Sequence, residues 1–141
     1  MPNEKEKIIQ TYRDYCEACE SLVPEAVLPF YHTPWLYISS EETSVITTQE
    51  ETVASFARMM DMLRKADYTR TDIIKISARQ MSKDLALESV DLERYDSNEE
   101  QLGGIGKTYT YAYTLRKTDD LWKIIVVMAH DPETILNLDY K

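Results

Sequence analysis

Two cysteines separated by two residues, Cys16 and Cys19, have a spacing that could do chemistry. Such a pair can act in thiol–disulfide exchange or supply half of a zinc site. A redox pair usually lies at a helix N-terminus, whereas these two lie in the middle of a helical pattern, on its apolar stripe. A structural zinc site needs four ligands, and the chain has only 2 His to complete one. The pattern therefore indicates thiols that pack as small apolar groups, and we expect no metal and no cofactor.

A glycine-rich stretch over residues 103–108, GGIGKT, resembles the end of a phosphate-binding loop. The full motif also needs a glycine five residues before Gly106, where this chain has Gln101, and a helix after the lysine. Residues 108–115 instead alternate Thr or Ala with Tyr, which is typical of a strand. We therefore expect the glycines to form a turn or a bulge at the start of a strand, and not a nucleotide site.

A third group combines a histidine with two aromatic residues. Trp35 and Tyr37 alternate along a predicted strand and therefore share one face, and His32 precedes them in a turn between two prolines. These three side chains could contact a ligand at the rim of a pocket. The alternative is that they only pack in the core or at its edge.

Length and composition limit what these residues can belong to. The chain has 141 residues and a mass of 16.5 kDa, with 43% hydrophobic and 29% charged residues, which is typical of one folded domain over residues 1–141. The formal net charge of −9 argues against a nucleic-acid partner. A charged N-terminal segment and the lack of a long apolar run predict a cytoplasmic protein without a membrane partner. Tyrosine is unusually frequent, with 10 residues against 3 glycines.

Two amphipathic helices must position these residues. The first is predicted from Glu4 to about Val23, and its apolar positions recur three, four or seven residues apart, as one face of a helix requires: Ile8, Tyr12, Tyr15, Cys16, Cys19, Leu22 and Val23. A short helix that begins at Pro24 follows it. The second long helix begins at a capping box, Thr48 to Glu51, and ends near Lys65.

Strands account for the rest of the pattern. Beyond Tyr68 the apolar period changes from that of a helix to the alternation of a strand. Asp119 and Asp120 predict a two-residue hairpin turn between the last two strands. The predicted strands cover residues 33–39, 44–47, 71–81, 84–95, 105–117 and 121–130.

The predicted turn pairs Tyr113 with Val126 and Tyr111 with Met128, which assigns the side chains of both strands to two faces. One face is rich in Tyr and Trp, and the other carries small Thr and Ala residues. Two helices can cover only one face of a long sheet, so we expect the aromatic face to form a homodimer. The predicted interface residues are Tyr109, Tyr111, Tyr113, Trp122, Met128 and His130.

The order of these elements, with a last strand that begins Leu121-Trp122-Lys123-Ile124, resembles the NTF2-like superfamily and, within it, the SnoaL-like family. The resemblance covers nearly the whole chain. It implies an α+β, cystatin-like cone in which a strongly bent antiparallel sheet wraps around N-terminal helices, encloses a pocket and often dimerises through its outer face. It does not imply one activity, because this fold hosts enzymes and non-enzymes alike.

The pocket implied by this fold would lie between the helices and the face with small residues. We expect it to bind a small, largely apolar or aromatic molecule. The predicted ligand contacts are Tyr12, His32, Trp35, Tyr37, Thr110, Ala112, Val127 and Ala129. A protein-interaction module that acts through the sheet face is one alternative.

An enzyme is the other alternative, and it rests on the resemblance. Cyclase-like members carry an acidic residue late in the sheet as general acid or base, and Asp131 is the matching residue here. Beside Val127 and Ala129, its carboxyl group could have a pKa raised by desolvation, with Tyr15 as a hydrogen-bond donor. Asp131 followed by Pro132 also suits a strand-ending turn or a helix cap.

Overall fold

The computed structural model describes residues 3–104, 106–131 and 138. The α-helices are α1 (Glu4–Glu20) and α2 (Gln49–Lys65), and a 3₁₀ helix spans Pro24–Phe30. The strands are β1 (Tyr31–Ile38), β2 (Thr43–Ile46), β3 (Tyr68–Gln80), β4 (Leu85–Asp96), β5 (Tyr109–Thr118) and β6 (Leu121–His130). In the described part of the chain, no helix is long and apolar enough to cross a membrane.

Local sequence explains where both α-helices begin. The Asn3 side chain accepts a hydrogen bond from the Glu6 amide at 2.8 Å and so caps α1. Thr48 caps α2 in the same way through the Glu51 amide at 3.1 Å, which confirms the predicted helix start. These caps fix where the apolar stripe of each helix meets the sheet.

The six strands form one sheet in the order β2-β1-β6-β5-β4-β3. Neighbouring strands run antiparallel except β1 and β6, which run parallel. The α+β class with a mainly antiparallel sheet is therefore confirmed. The parallel pair arises because β1 lies between its sequence neighbour β2 and the last strand β6, and runs in the same direction as β6.

The turn between β5 and β6 forms as predicted. Asp119 and Asp120 have φ angles of 51° and 67°, the left-handed conformation that a two-residue hairpin turn requires. Beside the turn, Leu115 pairs with Ile124, in the predicted register. The start of β5 differs, because the strand begins at Tyr109 and residues 106–108 are not strand; residue 105 lies outside the described residues.

A β-bulge at Ile125 shifts the rest of this hairpin by one residue. Beyond the bulge, Tyr113 pairs with Val127, and the predicted pairing with Val126 is wrong. A shift of one residue moves every later side chain of the strand to the opposite face. The inward side chains of β6 are therefore Trp122 and Ile124 before the bulge and Val127 after it.

The tyrosine-rich face of the sheet points toward the helices, which reverses the predicted orientation. We call this the inner face and its opposite the outer face. The hydroxyl groups of Tyr12 on α1 and Tyr113 on β5 form a hydrogen bond of 2.9 Å across the interior. Large rings fill the wide space under two helices, as close packing requires, while Thr110 and Ala112 alternate with them and lie on the outer face.

Glu88 on β4 is a buried carboxyl group on the inner face. Its side chain is 0% exposed, and neither carboxyl oxygen has a hydrogen-bond partner among the described residues. It pairs across the sheet with Ala78 and Tyr113. Because burial disfavours the charged form, the pKa of Glu88 is raised well above its ordinary value.

This burial predicts that stability falls as the pH rises above the ordinary glutamate value. The unfolded chain then releases a proton that the folded protein keeps, so the unfolding free energy decreases by about 1.4 kcal/mol per pH unit until Glu88 ionises. Urea unfolding between pH 5 and 8 would measure this slope. Glu88→Gln should remove this contribution to the slope, and the exposed Glu41→Gln should keep it. Equal slopes in all three proteins would contradict the assignment.

Candidate functional site

A cavity of about 810 Å³ lies between the inner face of the sheet, α1, α2 and the β1–β2 pair. Most of its lining is aromatic or apolar, and its polar groups are tyrosine hydroxyls together with charged, serine and threonine side chains. This composition is typical of a site for a small organic molecule. The aromatic lining residues are Tyr12, Tyr15, Tyr31, Trp35, Tyr37, Phe56, Tyr68, Tyr111 and Tyr113.

Helical spacing places four pocket residues of α1 on one face. Tyr12, Tyr15, Cys16 and Cys19 are buried, and all four line the cavity. On the opposite wall, the indole nitrogen of Trp35 donates a hydrogen bond of 2.9 Å to a threonine hydroxyl of α2. The wall formed by β1 is thereby held against the start of α2.

The tyrosine hydroxyl groups in the cavity form two pairs. Tyr12 and Tyr113 are 2.9 Å apart, and Tyr15 and Tyr31 are 3.2 Å apart. Burial raises the pKa of each of these four phenols, so they stay protonated at neutral pH. Each pair uses one proton for its own hydrogen bond, which leaves one O–H per pair as a donor for a bound molecule.

Arg94 is the charged residue that lies among these rings. It is partly buried, lines the cavity and has its guanidinium carbon 4.5 Å from the centre of the Tyr109 ring. Tyr111 lines the same cavity. The other charged lining residues, Glu42, Glu51 and Arg58, are exposed at the rim.

Five residues that the sequence predicts for the site line the cavity: Tyr12, Tyr15, Trp35, Tyr37 and Val127. Position alone supports these five, and their roles toward a ligand or a substrate stay predictions. The helical and strand periods place the first four, whereas Val127 lies there because the bulge and the reversed sheet orientation offset each other.

The other predicted pocket residues do not line the cavity. Thr110 and Ala112 alternate with the tyrosines of β5 and lie on the outer face, because the helices cover the tyrosine-rich face and not the face with small residues. Ala129 follows the bulge and shares the face of Tyr111, with which it pairs, beyond the lining. His32 turns back onto its own segment, with Nδ1 2.9 Å from the Pro34 carbonyl oxygen.

Asp131, the predicted general acid or base, is exposed and lies outside the cavity lining. The desolvation on which that role depends is therefore missing. Its position just after β6 is consistent with the alternative that it ends the strand, although Pro132 lies outside the described residues.

Four predicted interface residues lie in the interior. Tyr111 and Tyr113 line the cavity, Tyr109 packs on Arg94, and Trp122 is 3% exposed. Burial contradicts an interface role for Tyr113 and Trp122, and the physical reason is the reversed sheet orientation. Tyr109 and Tyr111 are partly buried on the same inner face, and their role in a dimer stays a prediction. Met128 and His130 do lie on the outer face, and their role in a dimer stays a prediction.

Arg94 is a charged cavity residue that the sequence interpretation missed. It lies two positions after Leu92 and four after Val90, which are both buried on the inner face of β4. The alternation of the strand therefore places Arg94 on the same face as these core residues, and from this pattern its inward position could have been predicted. Among the described residues, no three His, Cys, Asp or Glu side chains come together as metal ligands would.

Comparisons with known proteins agree on the fold. A family model described as NTF2-like protein (DUF6841) matches residues 4–132. An NTF2-like protein from Cytophaga hutchinsonii is 19% identical, with a TM-score of 0.65 over 91% of this chain and 98% of that chain. A cystatin-like protein of unknown function from Nostoc punctiforme is 14% identical, with a TM-score of 0.69 over 90% of both chains.

A third structure belongs to an NTF2-like family protein from Streptomyces avermitilis for which dehydratase activity is suggested. It is 16% identical, with a TM-score of 0.65 over 92% of this chain and 96% of that chain. Identities this low show a shared fold and nothing finer. No curated protein matches the sequence.

The two pocket cysteines are predicted to react slowly in the folded protein. Both are free and buried, and burial raises the pKa of Cys16 to about 12 and that of Cys19 to about 11. Because the thiolate is the reactive form, iodoacetamide at pH 8 should label both at least about 100-fold more slowly than in unfolded protein.

Mass spectrometry of samples quenched over time would measure both labelling rates. Labelling in urea supplies the reference rate, and the single variants Cys16→Ser and Cys19→Ser assign each rate to one thiol. Native labelling at the rate of the unfolded chain would show that the thiols are not shielded.

Proposed function

The chain belongs to the family of NTF2-like proteins described as DUF6841, and from that premise we propose that it binds a small, largely apolar or aromatic molecule in the cavity under α1. The observation that carries the proposal is the cavity itself. Its volume of about 810 Å³ falls within the range of small-molecule sites, about 300–1,000 Å³. Nine aromatic side chains line it, which favours flat or apolar ligands.

The lining supports binding more than acid–base catalysis. Among the described residues the cavity is lined by two carboxyl groups, those of Glu42 and Glu51, and both are exposed at the rim. The Glu51 carboxylate accepts hydrogen bonds from the Thr47 hydroxyl at 2.7 Å and the Thr48 hydroxyl at 3.3 Å, so it is occupied as a helix cap. With Asp131 outside the cavity, the enzyme alternative lacks the general acid or base that it requires.

Filling the cavity should abolish binding. Ser55 on α2 lines the cavity and is partly buried, so Ser55→Trp would place an indole in the ligand space. We expect the affinity for the neutral probe N-phenyl-1-naphthylamine to fall at least about tenfold, since the loss of a few ring contacts exceeds about 1.4 kcal/mol. Probe fluorescence during titration measures the affinity.

Asp61→Trp is the matched control, because it adds the same ring to an exposed position of α2 outside the cavity lining. Its affinity should equal that of the unmodified protein. Equal affinities in all three proteins would mean that the probe binds elsewhere. No binding by the unmodified protein to this or any apolar probe would contradict the proposed function.

We also propose that two copies of the chain associate through the outer face of β5 and β6. Met128 is 40% exposed there, beside the partly buried Val126, and both are apolar. The part of the outer face at β3 is less available, because the Leu138 amide donates a hydrogen bond to the Ser77 hydroxyl.

Light scattering coupled to size-exclusion chromatography tests this association. The unmodified protein should have twice the 16.5 kDa mass of one chain. Met128→Glu should shift it to the single-chain mass, because a buried unpaired charge is costly at an interface. The exposed Lys83→Glu is the charge control. A single-chain mass for the unmodified protein would exclude the dimer at that concentration.

A further inference from the structure

The guanidinium group of Arg94 has no carboxylate partner among the described residues. Its ring contact is with Tyr109, with 4.5 Å between guanidinium carbon and ring centre. The Glu20 carboxylate of α1 accepts a hydrogen bond of 2.8 Å from the Thr71 amide and forms no ion pair with Arg94. A partly buried cation thus faces a cavity whose walls are mainly rings.

We infer that the ligand carries a single carboxylate group, which Arg94 binds while the apolar or aromatic part of the ligand lies among the tyrosine rings. This inference rests on the proposed function, because it assigns the chemical class of the molecule that the same cavity takes. It adds a charged group to a ligand that the lining alone describes only as apolar or aromatic.

Arg94 has donors to spare for such a group. A guanidinium group carries five N–H donors in a planar fork and stays protonated in proteins. Its contact with the Tyr109 ring is a cation–π contact and uses no carboxylate acceptor. Two of the donors match the two oxygens of a carboxylate, and a bidentate pair is among the strongest polar contacts in proteins.

The surrounding hydroxyl groups add neutral donors to the same site. The pairs Tyr12–Tyr113 and Tyr15–Tyr31 each leave one O–H without an acceptor among the described residues. Their raised pKa values keep these protons in place, so the hydroxyl groups add no negative charge that would repel an anion. These hydroxyl groups therefore offer neutral O–H donors beside the Arg94 cation.

The charge balance favours a carboxylate over a phosphate. Arg94 supplies one positive charge in the deep part of the cavity, which matches one negative charge. Glu42 and Glu51 at the rim would repel a phosphate dianion more strongly than a carboxylate. Aromatic rings can also bind ammonium groups, but the Arg94 cation among these rings opposes a second positive charge.

Four probes with the same ring test the inference by calorimetric titration: 2-naphthylacetate, its neutral amide 2-naphthylacetamide, the cation 2-(2-naphthyl)ethylamine and the dianion 2-naphthyl phosphate. We expect the carboxylate to bind the unmodified protein at least about tenfold more tightly than the amide, from one charge-assisted bidentate contact. The cation and the dianion should bind more weakly than the carboxylate.

Two variants assign the preference to one side chain. Arg94→Gln should lower carboxylate affinity at least about tenfold and leave amide affinity within about twofold. Arg13→Gln, at an exposed position of α1 outside the cavity lining, is the matched control and should leave both affinities unchanged. Arg94→Lys keeps the charge but loses the fork, so it should bind the carboxylate with intermediate affinity.

Each result separates this inference from the proposed function. Equal affinities for carboxylate and amide in the unmodified protein overturn the inference, whereas binding of N-phenyl-1-naphthylamine would still support the proposed function. Failure of every probe overturns both. If Arg94→Gln does not fold, as judged by circular dichroism, the order of the four probes on the unmodified protein and the Arg94→Lys titration still decide the inference. Tightest binding of the phosphate would overturn the choice of a single negative charge.

Discussion

The packing of α1 across the inner face of the sheet, held by the hydroxyl contact of Tyr12 with Tyr113, is the constraint on which the rest of the structure depends. The rings meet with their centres 5.1 Å apart, so the helix axis stands a full side chain away from the strands. Ile8 closes the space toward one end of α1, where it is 0% exposed. Toward the other end of α1, the tyrosine rings and the two cysteine thiols do not fill the space between helix and sheet, and this unfilled space is the cavity.

The cavity combines two kinds of chemistry. Its rings offer broad apolar contact, while one guanidinium group and several neutral phenols offer hydrogen bonds. The buried Glu88 lies on the same inner face but outside the lining, and neither of its carboxyl oxygens has a hydrogen-bond partner among the described residues. Acidic and basic groups of the interior are thus kept apart, and the cation is the one that a bound molecule can reach.

Sequence patterns predicted the elements and the fold class because periodicity is a local property. The spacing of Tyr12, Tyr15 and Cys16 places them on one helical face whatever they pack against. The choice between the two faces of the sheet is not local, since it depends on which face the helices cover. Side-chain volume would have decided which face the helices cover, because small side chains such as Ala112 cannot fill the interior under two helices, whereas tyrosines can. Arg94 was missed because a single charged residue in a strand is ordinarily assigned to the solvent-exposed face. Its neighbours along the inner face, which are buried, indicate the opposite.

The bulge at Ile125 has a consequence for how relatives of this chain are compared. At this point β6 has one residue more than β5, so the alternation of inward and outward side chains shifts by one residue beyond the bulge. In a relative that lacks the extra residue, each side chain beyond this point lies one position earlier in the sequence. An ungapped alignment would therefore pair Met128 and His130 with inward side chains of that relative, and Val127 and Ala129 with outward ones. Pocket residues of one protein would then be equated with surface residues of the other. Ligand preferences transferred between relatives by such an alignment would rest on the wrong side chains.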